Sequence, residues 1–377
     1  MKILPRVTIS IFMIACVLSS TPIARADSLR IITPSSQVVE IEGEVNRYVD
    51  NIYGADTESL TRELLHVTDK RSALNYLMSG LGDKIFEMVS LVEREPREDY
   101  VTFVPNSHDR FVYHPAVDGV RVRWDRVLLD VEKVLHHDSE VVRIWHERVP
   151  AEVNYEGDIG KYTTLRGSYV TYFNMDNVPR VHNIRLAGDS ISGTVVKAGE
   201  RFSFNEVVGK RTLDRGYQIA PVIVKGELVD GVGGGVCQVS TTLYNAVTLA
   251  GLKSVKKSAH SMTVSYVAPS RDVTVSEYID YVFENDSGED IYIECDTRAN
   301  YIKINVYGLY TDEEVQLQTE YEDRDGYRYS TAYIVKSRRG VVVSRSKLRQ
   351  DKYILPTPPS EQSIEEENIV TSPADIR

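Results

Sequence analysis

Hydrophobic residues recur at helical spacing in the first part of the chain. Between Ile41 and Tyr100 the apolar side chains form three groups, and within each group the spacing of three or four residues recurs: Val45, Tyr48, Val49 and Ile52, then Leu60, Leu64 and Leu65, then Leu74, Leu77 and Leu81. Side chains with this spacing share one face of a helix. We therefore predict an N-terminal helical region over residues 27–92, made of a few short helices.

The pattern changes near residue 100, where β-branched and aromatic residues become frequent. Residues 100–104 and 111–113 have the composition of strands, and Val122 to Leu135 has the spacing of an amphipathic helix. This succession predicts a mixed α/β domain over residues 93–160.

Short β-like runs separated by glycine turns fill residues 163–307, with one clear helix after Cys237. Strand-like runs follow at residues 315–318, 327–336 and 341–343, which predict a C-terminal β extension over residues 308–356. The predicted fold class is therefore α+β: a β-rich catalytic domain with one helix following the Cys motif, preceded by a mixed α/β N-terminal domain. Residues 357–377 are rich in proline and glutamate and predict a disordered acidic tail.

The amino terminus has the pattern of a secretory signal peptide. Lys2 and Arg6 precede an apolar run from Val7 to Leu18, and Ala24-Arg25-Ala26 is an A-x-A cleavage site. The apolar run of about a dozen residues is shorter than the roughly 20 that cross a bilayer. We predict that residues 1–26 are cleaved, that the protein is exported to the extracellular space or the cell wall, and that no transmembrane segment follows. Cys16 leaves a lipoprotein form as an alternative.

Charge argues against a nucleic acid as the partner. The whole chain has a formal net charge of -11, and the predicted signal carries three basic residues and no acidic one. Removing these three positive charges gives the processed chain a net charge of -14. A polyanion is repelled by such a protein.

Only Cys237 and Cys295 remain after the predicted cleavage. A disulfide bond between them is one interpretation for an exported protein, and a reactive thiol at Cys237 is the other. The chain has neither C-x-x-C nor H-E-x-x-H, and adjacent histidines such as His136 and His137 are typical of a solvated surface. We predict no metal site and no cofactor.

A glycine-rich loop changes into a helix at Cys237. Residues 231–236 read Gly-Val-Gly-Gly-Gly-Val, the apolar residues from Gln238 to Ala250 fall on one face, and Gly251 is a helix stop. The unpaired amides and the dipole at a helix N-terminus favour negative charge, which lowers the pKa of a thiol. The same amides could hold an oxyanion. The alternative is a tight turn with a small residue packed at the junction.

A cysteine nucleophile needs a base, and the histidines of residues 163–307 are His182 and His260. His260 is the better candidate, because it opens residues 260–267, whose alternation predicts a strand with the imidazole on an apolar, inward face. A buried histidine that only satisfies backbone groups has the same pattern.

A carboxylate is needed to orient the imidazole. Asp280 lies in residues 276–283, which predict a following strand, and we choose it as the third member of the site. Asp272 is the alternative, and either could be a surface carboxylate.

At these residues the chain closely resembles the VanW family. The similarity includes residues 193–196, 199–209, 215–217, 220–223, the glycine-rich cysteine motif, 245–251, 260–261, 266–267 and Asp280. Some members of that family are understood to act as L,D-transpeptidases with the motif cysteine as nucleophile. The resemblance implies a cell-wall transferase in which Cys237 is the nucleophile and His260 the base.

The resemblance also implies substrate-binding residues. The hydroxyls of Ser240 and Thr241 would stabilise the oxyanion, and Tyr244 on the next turn would shape the site. Arg211 and Asn205, in loops similar to those of the family, are candidates for binding the substrate's carboxylate or amide.

The region from Glu93 to Glu156 is similar to the peptidoglycan-binding domain that often precedes VanW domains. Residues 116–122 are its recognisable part. This similarity implies peptidoglycan as the partner.

Two other functions fit the same residues. In a thiol peptidase or amidase of the cell wall, water rather than an amine would resolve the acyl-enzyme. In a non-enzymatic peptidoglycan-binding or scaffold protein, the cysteine motif would only be part of the fold.

Overall fold

The computed structural model describes residues 29–32, 38–41, 57–78, 80–136, 138–155, 158–224 and 227–355. The predicted signal peptide, the apolar positions 45–52, His137 and the predicted acidic tail lie outside the described residues. The described chain is α+β, as the sequence predicted, and it divides into two compact units. The first contains residues up to Glu98 and Ala116–Glu152, and the second contains Asp99–Pro115 and the residues from Val153 onward.

The helices and strands alternate along the chain. The helices are α1 (Thr57–His66), α2 (Lys70–Leu77), α3 (Leu81–Val92), α4 (Trp124–Leu135), α5 (Ile159–Tyr162), α6 (Val178–Ile191), α7 (Phe204–Val208) and α8 (Val236–Leu249), with a 3₁₀ turn at Leu213–Arg215. The strands are β1 (Leu29–Ile32), β2 (Val38–Ile41), β3 (Tyr100–Phe103), β4 (Phe111–His114), β5 (Gly119–Val122), β6 (Val141–Arg143), β7 (His146–Val149), β8 (Thr164–Tyr172), β9 (Val195–Val196), β10 (Arg201–Ser203), β11 (Ile219–Val224), β12 (Glu227–Val232), β13 (Lys253–Lys256), β14 (Val282–Glu284), β15 (Ile291–Asp296), β16 (Tyr301–Gly308), β17 (Glu313–Arg324), β18 (Tyr327–Arg338) and β19 (Val341–Ile354). Of the helices that the structure describes, none is both long and apolar enough to span a membrane.

In the first unit, helices α1 to α3 lie where the leucine spacing predicted helices. Their apolar faces share one core with β1, α4 and β6, which includes Ile31, Leu64, Leu74, Leu81, Ile85, Val127, Val131 and Val142. Helix α4 begins at Trp124 and not at Val122, because Val122 ends β5, where it pairs with His146 of β7. The start of the predicted helical region is not helical, because residues 29–32 and 38–41 form β1 and β2, and β1 lies between β2 and β6 in a three-stranded sheet.

Residues 93–160, predicted as one mixed domain, contribute to both units. The β3–β4 hairpin belongs to the second unit, where Phe111 packs edge-on against Tyr292 and Tyr307. Strand β5, helix α4 and strands β6 and β7 belong to the first unit. The assignment of these residues to one domain, and its peptidoglycan-binding role, stay predictions.

The second unit is built on a four-stranded antiparallel sheet in the order β8-β16-β15-β9. Helix α8 crosses β8 and β16, and its side chains Val239, Leu243 and Val247 are fully buried. Gly167 of β8 allows this close approach, since a Cβ there would lie 2.3 Å from the carbonyl oxygen of Ala246. Burying each of these large apolar side chains stabilises the fold by about 2 kcal/mol. The packing therefore fixes the N-terminus of α8, where Cys237 lies.

Helix α6 was missed by the sequence analysis. Its buried face includes Asn183 and Gly188, and Val178 at its start is exposed, so the apolar spacing was weak. The usual signals of a helix start are nevertheless present: the side chain of Asn177 caps the helix, and Pro179 stands in its first turn.

The C-terminal extension is a three-stranded antiparallel sheet in the order β17-β18-β19. Its strands are longer than predicted and are joined by the two-residue turns Asp325-Gly326 and Arg339-Gly340. Both residues of each turn have positive φ, which is the conformation of the hairpin turn that matches strand twist. At the end of β19 the amide of Ile354 donates to the carbonyl of Ser261. This bond joins the end of β19 to the segment that follows His260.

Candidate active site

Cys237 is the second residue of α8, as the glycine-rich motif predicted. The residue that caps this helix, Gly235, has a φ of 106°, a left-handed conformation that other residues rarely adopt. A Cβ at Gly235 would also lie 2.9 Å from Cγ1 of Ile184 and 3.0 Å from Cγ of Arg180. The glycine is therefore needed for the chain to enter α8 at this point.

Cys237 is partly exposed as a residue, and its thiol faces residues 274–275. Its Sγ lies 3.5 Å from the amide nitrogen of Val275, 3.4 Å from the carbonyl oxygen of Val275 and 3.7 Å from Oγ1 of Thr274. Cys295 lies on β15 and is buried, and both cysteines are free. The disulfide interpretation of Cys237 and Cys295 is therefore wrong.

His260 is buried, and a carboxylate holds its imidazole. Nδ1 of His260 lies 2.7 Å from Oδ2 of Asp272, and the backbone amide of His260 donates to the same oxygen at 2.7 Å. The other oxygen, Oδ1, accepts a hydrogen bond of 2.6 Å from the hydroxyl of Tyr353. Arg349 also donates to the backbone carbonyl of Asp272. Two residues of the C-terminal sheet thus position the acid of the site.

The ionisation of the three groups is coupled. Burial raises the pKa of Cys237, but the hydrogen bond and charge of His260, with the amide of Val275, outweigh burial and lower it. Burial lowers the pKa of His260, but the hydrogen bonds with Asp272 and Cys237 raise it to about 9. Burial raises the pKa of Asp272, and its bonds to His260 and Tyr353 bring it below the usual range. The arrangement favours a thiolate beside an imidazolium at neutral pH.

Asp280 does not contact His260, so its predicted place beside the imidazole is wrong. Oδ2 of Asp280 accepts a hydrogen bond of 2.7 Å from the hydroxyl of Ser203, and Oδ1 accepts one of 2.9 Å from the amide of Asn205. Asp280 therefore stabilises the start of α7. The alternative carboxylate, Asp272, is the one that orients the base.

Both strands predicted around these residues are largely loops. In residues 260–267 only Met262 forms a bridge, with Ile354, and in residues 276–283 the strand β14 begins at Val282. Alternation in these runs had suggested strands, but the chain here follows the surface of α8 and the C-terminal sheet. His260 is nevertheless buried, as its position predicted.

Ser240, Thr241 and Tyr244 share the face of α8 that carries Cys237, but residues 272–275 cover them. Ser240 donates to the carbonyl oxygen of Val273, and Thr241 both donates to and accepts from the backbone of Val273. Tyr244 is fully buried and packs edge-on against Tyr281. None of the three lines the cavity at Cys237. The structure therefore does not bring these three residues to the cavity, and Ser240 and Thr241 instead hold the segment that carries Asp272.

A cavity of about 1120 Å³ opens beside Cys237 and His260. Two of the predicted substrate-binding residues, Asn205 and Arg211, line it. Oδ1 of Asn205 accepts a hydrogen bond of 2.8 Å from Arg211, and its amide nitrogen donates to the carbonyls of Ser276 and Ile279. The structure therefore brings these two residues to the site, with Asn205 holding the guanidinium. The other histidine considered, His182, is exposed and contacts the carbonyl of Gly216.

The polar residues that line the cavity and were not predicted include Gln238 and Arg180. Gln238 follows Cys237, and its amide nitrogen donates to the hydroxyl of Thr171 and the carbonyl of Tyr172. Its oxygen accepts a hydrogen bond of 2.6 Å from Arg180 of α6. Arg180 could not be placed because α6 itself was missed. Gln238 could have been suspected from its position next to the cysteine.

The fold and the site define a class: an α+β domain in which a thiol at a helix N-terminus and an imidazole line one cavity, and a buried carboxylate holds the imidazole. Residues 179–307 match the family described as VanW like protein, so the chain carries a VanW-like domain. The predicted resemblance is confirmed over these residues. Among the described residues, no group of His, Cys, Asp and Glu side chains could hold a metal ion.

Two curated proteins show the same similarity. The chain is 50% identical over 146 residues to the uncharacterized protein YoaR of Bacillus subtilis (strain 168), which covers 38% of this chain and 48% of that protein. It is 30% identical over 140 residues to the vancomycin B-type resistance protein VanW of Enterococcus faecalis (strain ATCC 700802 / V583), which covers 35% of this chain and 49% of that protein. The chain thus spans about half the length of each relative. No solved structure matches the chain significantly.

The lowered pKa of Cys237 predicts how its alkylation depends on pH. We expect the rate of iodoacetamide labelling to rise with pH and to level off below the free-thiol pKa of about 8.5, because the thiolate is already formed there. In a His260→Gln variant the rise should move to higher pH, since the group that lowers the thiol pKa is gone. Peptide mass spectrometry over a pH series measures the rate at each cysteine.

Cys295 serves as an internal control in the same experiment. Burial raises the pKa of its thiol, so it should stay unlabelled in the folded protein. A Cys237 profile centred at or above pH 8.5 would contradict the paired thiolate and imidazolium.

Proposed function

We propose that the chain is an exported cell-wall acyltransferase, an L,D-transpeptidase that acts on peptidoglycan stem peptides through a thioester at Cys237. The observation that carries the proposal is that Cys237 and His260 line one cavity while Asp272 holds the imidazole of His260. A thiolate is the reactive form of a cysteine nucleophile.

In the first half of the reaction the Cys237 thiolate attacks the carbonyl carbon between an L-centre and the terminal D-residue of a stem peptide. The new S–C bond forms as the carbonyl π pair moves to oxygen. The oxyanion then collapses, the C–N bond breaks, and the imidazolium of His260 gives its proton to the departing amine. The products are a thioester at Cys237 and a free D-amino acid.

In the second half the amine of another stem peptide attacks the thioester carbonyl. His260, now neutral, accepts the proton of that amine as the new C–N bond forms. The C–S bond then breaks and the thiolate is restored beside the imidazolium. Asp272 keeps Nδ1 of His260 protonated and its ring oriented throughout.

The backbone at the start of α8 supplies the proposed oxyanion site. The amides of Val236 and Gln238 donate to the carbonyls of Gly233 and Gly235. We therefore assign the oxyanion to the amide of Cys237 itself, aided by the dipole of α8. This replaces the hydroxyls of Ser240 and Thr241, which are occupied by Val273.

The proposal keeps peptidoglycan as the partner and the cell wall or extracellular space as the location. The signal-like sequence of residues 1–26 supports export, and the similarity of residues 93–156 to a peptidoglycan-binding domain supports the partner. Arg211 and Asn205 would contact the stem peptide, since both line the cavity at Cys237.

Product analysis on purified muropeptides with tetrapeptide stems tests this function. We expect a dimer whose mass equals two monomers less one D-amino acid, together with the free D-amino acid, both detected by mass spectrometry. Shortened monomers without dimers would instead indicate a thiol peptidase, in which water resolves the thioester. Unchanged muropeptides together with an unreactive Cys237 would indicate the scaffold function.

A further inference from the structure

Arg180 lines the cavity beside Cys237 without a carboxylate partner in the part of the chain that is described. Its guanidinium donates to Oε1 of Gln238, whose amide group is itself fixed by Thr171 and Tyr172. Burial lowers the pKa of Arg180, and the groups that raise it are Tyr266 and Cys237. A guanidinium has five N–H donors, so most of its donors remain available to a ligand.

The glycine turn before Cys237 packs closely against both Arg180 and Arg211. A Cβ at Gly235 would lie 3.0 Å from Cγ of Arg180, and a Cβ at Gly233 would lie 3.0 Å from Cβ of Arg211. Both glycines have positive φ. The turn therefore places two guanidinium side chains along the loop that leads to the nucleophile.

The charges of the cavity favour an anion. Its lining includes Arg180, Lys210 and Arg211 but only Glu277 among acidic side chains. The whole chain, in contrast, has a net charge of -11. A positive concave surface on an acidic protein concentrates anionic ligands there and repels them elsewhere.

We infer that Arg180 binds a free carboxylate of the acyl donor, next to the carbonyl that Cys237 attacks, and that Arg211 strengthens the same site. This inference rests on the proposed function and narrows its substrate: the donor ends in an unblocked carboxylate. A planar guanidinium matches a carboxylate through two parallel hydrogen bonds. Arg211 contributes less, because the negative charges of Asp280 and Glu277 already offset part of its positive charge.

The test compares two alkylating reagents that differ only in charge. Iodoacetate and iodoacetamide each form one S–C bond with the Cys237 thiolate and release one iodide, but only iodoacetate carries a carboxylate. The ratio of their rates cancels the fraction of thiolate, so it reports how strongly the protein favours the reagent that carries a carboxylate. We expect an Arg180→Gln variant of the full chain to lower this ratio about tenfold, the size of a lost charge-assisted pair.

Three further variants sharpen the comparison. Arg180→Lys, which keeps the charge, should restore part of the ratio. Arg211→Gln should lower the ratio by a smaller factor than Arg180→Gln. Arg185→Gln changes another arginine of α6 that bonds the carbonyl of Thr297 and lies outside the cavity lining, so it should leave the ratio unchanged.

A dipeptide provides the second measurement. N-acetyl-L-alanyl-D-alanine should slow iodoacetamide labelling of Cys237 in the wild-type chain, whereas its C-terminal amide should not. In Arg180→Gln the difference between the two peptides should shrink to the smaller part that Arg211 supplies.

An unchanged reagent ratio in Arg180→Gln would overturn the carboxylate site, while normal labelling of Cys237 by iodoacetamide in the same variant would leave the proposed acyl transfer standing. A Cys237 that reacts with neither reagent would overturn both. A ratio that falls equally in Arg180→Gln and Arg185→Gln would also overturn the site, since it would show a general effect of charge.

Discussion

A Cys237→Ala variant is expected to lose transpeptidation of muropeptides by about 10⁴-fold or more, because the sulfur that would form the proposed thioester is removed. Binding of stem peptides should persist, since Arg211, Asn205 and the walls of the cavity are untouched. The measurement is the initial rate of dimer formation. Intact-protein mass spectrometry of the wild-type chain with substrate should also show an acyl adduct that the variant lacks.

The chain offers a matched control in Cys295→Ala. Cys295 is buried on β15, and a Cβ at Gly188 would lie 3.2 Å from its sulfur, so it belongs to the packing between β15 and α6. Removing its sulfur leaves a small cavity and lowers the free energy of unfolding by about 1 kcal/mol. Dimer formation should continue. A Cys237→Ala variant that keeps more than a tenth of the wild-type rate would show that the reaction does not proceed through this thiol.

Local sequence patterns were enough to place the nucleophile. Glycines followed by an apolar face predicted the start of α8 at Cys237, because both signals act within a few residues. The same pattern placed Ser240, Thr241 and Tyr244 on the face of Cys237. It could not show that residues 272–275 cover that face, because this contact joins segments about 30 residues apart.

The choice between Asp272 and Asp280 shows a second limit of prediction from sequence patterns. Asp280 stands in a run where apolar and polar residues alternate, and alternation predicted a strand there, whereas Asp272 lies between the two predicted strands. The structure makes these runs loops whose path is set by α8 and by the C-terminal sheet. Tyr353 and Arg349, which hold Asp272, lie beyond residues 179–307 that match the family. No pattern within the matched residues could therefore reveal how the acid is positioned.

Substitution of each carboxylate in turn should show whether Asp272 or Asp280 is the acid of the site. We expect Asp272→Asn to reduce the rate of dimer formation by about 10²-fold or more, since loss of the orienting acid from a serine triad costs about 10⁴. The hydrogen bond and charge of Asp272 raise the pKa of His260, and protonated His260 lowers the pKa of Cys237. Without this carboxylate the imidazolium loses its proton at lower pH and the thiolate forms at higher pH. The iodoacetamide profile should therefore move to higher pH in the same variant.

Asp280→Asn is the matched control, an identical substitution eight positions along the chain. Asp280 bonds Ser203 and the amide of Asn205, so its loss should loosen the start of α7 and cost about 1 kcal/mol of stability. The rate should fall less than tenfold, and the alkylation profile should keep its position on the pH axis.

Tyr353→Phe provides the intermediate case, because it removes one hydrogen bond from Asp272 and keeps the ring, which is fully buried. The hydroxyl of Tyr353 lowers the pKa of Asp272, and its loss weakens the hold on the carboxylate without removing the charge. We expect a rate and an alkylation profile between those of the wild type and Asp272→Asn. If Tyr353 had only a structural role, its substitution would lower the melting temperature and leave the pH profile of alkylation unchanged.

If Asp280→Asn shifted the profile and Asp272→Asn did not, the acid of the site would have to be Asp280, and the contact between His260 and Asp272 would have no part in catalysis.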